Sequence, residues 1–159
     1  MKLHQLSAVA LIAAFRERTL SPLEVMREVL ERVKRFEPHI KATYLLNEEG
    51  ALAEARASEA RWMRGAPIGP LDGVPATVKD NIATKGEPTP LGTAATDLTP
   101  ASADAPPAAR LREAGAIIFS KTTMPDFGML SSGLSSFHPL TRNPWDLSRN
   151  PGGSSAGAA

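Results

Sequence analysis

Residues 104–122 read DAPPAARLREAGAIIFSKT, and their reading decides the fold. The segment 104–115 predicts a short helix, with Asp104 at its start and Gly115 as its stop, since glycine accepts the left-handed conformation that ends helices. The segment 116–122 predicts a buried strand, because its apolar run is continuous rather than alternating. Upstream, GVPATVKDN (73–81) predicts another strand, entered from Gly69-Pro70 and left through Asp80-Asn81. Strand, helix, strand in that order predicts a βαβ unit with a right-handed crossover, and so an α/β fold.

Toward the N-terminus the pattern becomes helical. Ser7 can cap a helix whose apolar residues include Val9, Leu11, Ile12 and Phe15. In SPLE (21–24), Ser21 is an N-cap, Pro22 takes the first helical position and Glu24 closes a capping box. Leu23, Met26, Val29, Leu30 and Val33 continue as one apolar stripe, and Pro38 is expected to stop it. ATYLL (42–46) predicts a short strand. Residues 48–65 predict an alanine-rich helix ended by Gly65, with Arg56, Arg61 and Arg64 on a solvated face. Residues 82–103 and 123–153 are long Thr/Pro/Gly and Ser/Pro/Asn-rich passages, and loops of that length are usually functional or disordered. The expected organisation is a helical region at 1–66 and the start of an α/β core at 67–159, within one incomplete domain.

Composition excludes several classes. The chain has 159 residues, 22% charged, with a formal net charge of +1. That balance gives no electrostatic footprint for nucleic acid. There are no cysteines, which removes disulfides, a thiolate nucleophile and cysteine-ligated zinc, and fits a cytoplasmic protein. The opening MKLHQLSAVALIAAF is weakly like a signal peptide, but Arg16, Glu17 and Arg18 follow at once, so a plain helix is expected. No apolar run approaches the roughly 20 residues of a membrane span.

Chemistry has few candidates. His4, His39 and His138 stand in no ligand spacing and no nucleophile motif, and each reads as a surface or loop histidine. Asp72 and Asp80 read as turn formers. Lys79 closes the 73–81 strand, where it either snorkels at the strand end or is desolvated and acts as a base toward a hydroxyl. The loop RNPGGSSAGAA (149–159) has three readings: an anion cradle, a site that points Ser154 or Ser155 into chemistry, or a flexible tail. Composition alone favours the tail.

Three segments together change that balance. GPLDGVPATVKDNIATKGEPTPLGT (69–93), AGAIIFSKTTMPDFGMLSSG (114–133) and TRNPWDLSRNPGGSSAG (141–157), in this order, resemble the N-terminal part of the amidase signature family. These are serine amide hydrolases with a Ser–cis-Ser–Lys triad, including bacterial amidases and the glutaminase subunit of the tRNA-dependent amidotransferase. The resemblance implies a mixed-sheet α/β fold with helices on both faces, the sheet being incomplete here. It implies Lys79 as base and Ser154 as relay serine, with a cis bond at Gly153–Ser154 or beside it. It implies that Met129 and Ser131 line the substrate site and that Gly152, Gly153 and Ser155 support the loop. It implies no metal and no cofactor. The attacking serine of the family lies some two dozen residues after the relay serine, so this chain is expected to carry base and relay but not nucleophile, and to be inactive alone. Ala156 stands where the family has glycine, tolerable only if its φ is not positive. The implied partners are a small-molecule amide and a second copy or a complementing C-terminal chain, with neither nucleic acid nor membrane. Two alternatives stand beside a complete amidase: one segment of a split amidase or amidotransferase glutaminase, and a non-catalytic anion-binding module.

Overall fold

The computed structural model describes residues 2–159. The elements are α1 (Ala8–Glu17), α2 (Pro22–Ile40), β1 (Thr43–Leu46), α3 (Glu48–Met63), β2 (Pro75–Lys79), α4 (Pro106–Glu113) and β3 (Ile117–Thr122), with three short 3-10 turns. The three strands form one sheet in the order β1-β3-β2. β1 pairs with β3 antiparallel, Leu45 opposite Lys121 and Leu46 opposite Ser120. On the other side of β3, Ile117 N donates to Val74 O and Asp80 N donates to Thr122 O, so the two chains advance together, a parallel pairing. The protein is therefore mixed α/β, with a three-stranded mixed sheet.

Two compact units divide the chain. The first holds Met1–Lys34, Asn47–Ala76 and Ala109–Phe119. The second holds Arg35–Leu46, Thr77–Ala108 and Ser120–Ala159.

In the first unit, local capping chemistry starts each helix. Ser7 Oγ accepts from Ala10 N. Ser21 Oγ accepts from Glu24 N at 3.1 Å while Glu24 Oε2 accepts from Ser21 N at 2.8 Å, a closed capping box. Ser21→Ala should therefore cost about 1 kcal/mol, measured as a shift in urea midpoint. Asn47 Oδ1 caps Gly50 N in α3. The apolar stripe of α2 splits between two cores. Met26 and Leu30 pack with Ala51 and Ala55 of α3 and with Ile117 and Phe119 of β3. Val25 packs with Leu11 and Phe15 of α1, Trp62 of α3 and Val74. Small alanines every four residues let α3 lie close to its neighbours, and Trp62 closes that face by donating Nε1–H to Asp72 O at 3.0 Å.

Several expectations are corrected here. Pro38 does not stop α2, which runs on to Ile40. A proline that near the C-terminus removes only one intrahelical donor, and Lys41, at φ 51, makes the stop instead, its N–H still bonded to Glu37 O. Val9 points to solvent. Arg61 does not belong to a solvated face: its Nε and Nη2 donate to both oxygens of Asp72 at 2.8 and 2.6 Å. Asp72 is accordingly no simple turn former but a fully buried ion-pair partner.

In the second unit, residues 80–105 and 123–155 are almost without regular structure, yet they are tied down. Lys85 and Ala101 form an isolated bridge. Thr123 and Thr141 share a hydroxyl–hydroxyl bond of 2.6 Å, and Thr141 Oγ1 donates to Lys41 O at 2.9 Å. Gly157 N donates to Thr123 O, and a Cβ at Gly157 would collide with Ala42 O, so only glycine fits this approach. Every residue of β3 is buried, as its apolar run predicts.

Candidate active site

β2 alternates, and the alternation sorts its end into two faces. Val78 and Asp80 are buried, whereas Thr77 is exposed and Lys79 half-buried. Lys79 thus leaves the strand on the opposite side from Asp80. Its Nζ lies 2.8 Å from Ser154 Oγ and 3.3 Å from Ser155 Oγ, across 75 and 76 residues of sequence.

The loop carrying those serines is shaped by close backbone packing. Gly152 has φ +91, a conformation suited to glycine, and its N–H donates to Asn150 Oδ1 at 2.9 Å. Gly153 lies so close to the 130–132 backbone that a Cβ would stand 2.5 Å from Ser132 O and 2.9 Å from Leu130 O. Gly153→Ala should therefore displace the loop against that backbone and cost about 1–3 kcal/mol, read as a shift in urea midpoint. The Gly153–Ser154 peptide bond is cis. Beyond it, Ala156 is buried and opens a 3-10 turn, Ala156–Ala158. The non-glycine residues with positive φ among the described residues are Arg18, Lys41, Leu91 and Phe127. Ala156 is not one of them, so alanine is accommodated there.

Met129 is 81% exposed and Ser131 is exposed as well. Both belong to the segment whose backbone backs the glycines, the Ser131 carbonyl lying about 4.0 Å from a Cβ built on Gly152. Among the described residues, no three of His, Asp and Glu come together to hold a metal ion.

Two further groups were not legible in the sequence. His138 is not a surface histidine: it is buried, and its Nε2 lies 2.8 Å from Asp80 Oδ2. Asp80 is likewise more than a turn former, being fully buried and also accepting from Gly92 N at 2.7 Å. The pair is separated by 58 positions, so no local spacing announces it. Lys121 is the second. It is 1% exposed and donates to Pro88 O at 3.1 Å and Thr89 Oγ1 at 3.3 Å. Burial pushes its amine below the ordinary lysine value, with the charges of Asp80 and Glu87 opposing. Tyr44, beside His138, is pushed up by burial and then by the same two carboxylates. A lysine inside an apolar strand was the one available signal, since such a charge needs buried partners.

A family model described as Amidase matches residues 24–159, most of the chain. The chain belongs to the amidase signature family. The glutamyl-tRNA(Gln) amidotransferase A chain of Acidothermus cellulolyticus is 42% identical over 153 residues, covering 96% of this chain and 30% of that protein. Among solved structures, peptide amidase from Stenotrophomonas maltophilia superposes with a TM-score of 0.87 at 30% identity, over 96% of this chain and 33% of that one. A fatty acid amide hydrolase superposes with a TM-score of 0.92 at 25% identity, over 98% and 27%. This amidase-family chain thus spans about a third of the length of its relatives. No helix among its described residues is long and apolar enough to cross a membrane.

Proposed function

We propose that these 159 residues supply the base and the relay of an amide hydrolase. The observation that carries the reading is the 2.8 Å contact between Lys79 Nζ and Ser154 Oγ. In its neutral form Lys79 takes the proton of Ser154, which takes one from an attacking serine that the family pattern puts beyond residue 159. That serine adds to the amide carbonyl, and backbone N–H groups beside it hold the oxyanion. Collapse releases the amine, which receives the relayed proton. Water then attacks the acyl-enzyme, the same relay accepting its proton, and frees the acid. In this reading the substrate is a small-molecule amide approached past Met129 and Ser131. Gly152, Gly153 and Ser155 hold the loop, and the protein works in the cytoplasm as a homodimer or with a complementing C-terminal chain. Ammonia or amine release from a panel of aliphatic, aryl and peptide amides tests it, using the natural polypeptide that carries these residues. Release that is abolished by Ser154→Ala is expected. Turnover by residues 1–159 alone would sink the division of labour.

A second reading has its own support. A relative 42% identical over almost the whole chain is part of an amidotransferase. In that case the amide is glutamine, and the ammonia passes to a partner's acceptor rather than to water. Glutamine hydrolysis that rises sharply when a partner chain is added would favour it over the plain amidase.

A further inference from the structure

Asp80 follows Lys79 directly, and its carboxylate is the knot of a closed ring of hydrogen bonds. Asp80 Oδ2 accepts from Gly92 N at 2.7 Å and from His138 Nε2 at 2.8 Å. Gly92 O accepts from Ser135 Oγ, and the same Oγ accepts from His138 N at 2.8 Å. The ring therefore runs Asp80, Gly92, Ser135, His138 and back to Asp80. A carboxylate only accepts, so His138 carries its hydrogen on Nε2. Phe137 and Tyr44 fix the imidazole plane, with ring centroids 5.1 and 5.0 Å away.

The ring ties two things that the proposed chemistry needs in register. On one side it grips the residue next to the base, whose backbone N–H is already bonded to Thr122 O. On the other it grips the segment 126–138. That segment is closed on itself where Ser136 donates its N–H and its hydroxyl to the Asp126 carboxylate. Its residues 130–132 form the wall against which Gly153 packs, directly before Ser154. The position of Ser154 and the position of Lys79 are thus both referred to one buried carboxylate.

We infer that Asp80 and His138 are positioning residues that set the Lys79 Nζ to Ser154 Oγ distance, acting through the strand end and the 126–138 segment. The inference rests on Lys79 being the base. Lys121 and Glu87 contribute charge around Asp80 but stand outside the ring.

The test uses the natural polypeptide and the best amide substrate found for it, with Lys79→Ala, His138→Phe and His138→Gln compared by kcat, KM and thermal melting. Phenylalanine fills the aromatic site but donates nothing, whereas glutamine can offer an N–H near the Nε2 position. His138→Phe should lower kcat at least about tenfold with KM unchanged within about threefold, the signature of a misplaced catalytic group rather than a lost binding contact. His138→Gln should restore kcat to within about threefold of wild type. If Lys79→Ala retains full activity, the functional reading itself fails. If Lys79→Ala is inactive while folded His138→Phe keeps its kcat, only the positioning role is overturned. That role is overturned equally if glutamine does not rescue. Should His138→Phe not fold, Ser135→Ala opens the ring at Gly92 and the same split applies. Failure of both to fold would make the ring a folding element and overturn the inference.

Discussion

Lys79→Ala should lower kcat for amide hydrolysis by about 100- to 10,000-fold, the range expected when a positioned proton acceptor is removed. Lys79 Nζ is 2.8 Å from one serine hydroxyl and 3.3 Å from the next, and alanine leaves both without that partner. Lys79→Arg is the sharper variant. It keeps a long cationic side chain at the end of β2, but a guanidinium does not give up its proton in a protein. If Lys79 acts as a base, arginine is as inactive as alanine. If it serves only as a cation that orients the loop, arginine retains much of the activity. Steady-state rates with both variants, alongside melting curves to show that they fold, decide between the two.

The second large effect concerns stability. Asp72→Ala should cost about 2–3 kcal/mol, since it removes the buried acceptor of a two-pronged, charge-assisted hydrogen bond from the partly exposed Arg61. The carboxylate is fully buried and receives Arg61 Nε and Nη2 at 2.8 and 2.6 Å and Ile68 N at 3.1 Å. Burial alone would push its carboxyl up, but the Arg61 hydrogen bonds and charge, with the Ile68 N–H, hold it below the ordinary aspartate range. The sign of the pH dependence follows. The contribution is present above the unfolded value of about 3.9 and is lost as pH falls through the lower folded value. Urea midpoints of wild type and Asp72→Asn should therefore differ widely near neutral pH and converge in strong acid. A gap that stayed constant down to about pH 2 would mean that the pair's ionisation is not what stabilises the fold.

What the sequence made legible follows the range of the interactions involved. The capping box at Ser21 and Glu24 closes over three residues, and it is present as read. Gly65 and Gly115, at φ +69 and +90, sit just past α3 and α4, where their backbone freedom is needed. The continuous apolar run of β3 announces burial because both faces of a central strand are covered. Pro38 misled because its effect depends on distance from the helix end, which the residue does not encode. Arg61 read as solvated because its partner lies beyond the helix, in the turn before β2.

The site divides in the same way. Alternation along β2 offered Lys79 two fates and could not choose, since the choice depends on a serine 75 residues on. Composition favoured a flexible tail for 149–159. Only the ordered resemblance of three separated segments drew Ser154 toward Lys79. The Asp80–His138 ring lay outside both kinds of signal, because its members come from three loop segments that only folding brings together.

The measurement that bears most directly on the central claim is the intact mass and peptide map of the natural polypeptide after treatment with a fluorophosphonate, a covalent probe of activated serines. A single adduct is predicted, on a serine beyond residue 159, forming rapidly in wild type and far more slowly in Lys79→Ala. An adduct on Ser154 itself, or labelling at the same rate without Lys79, would contradict the assignment of this chain as base and relay.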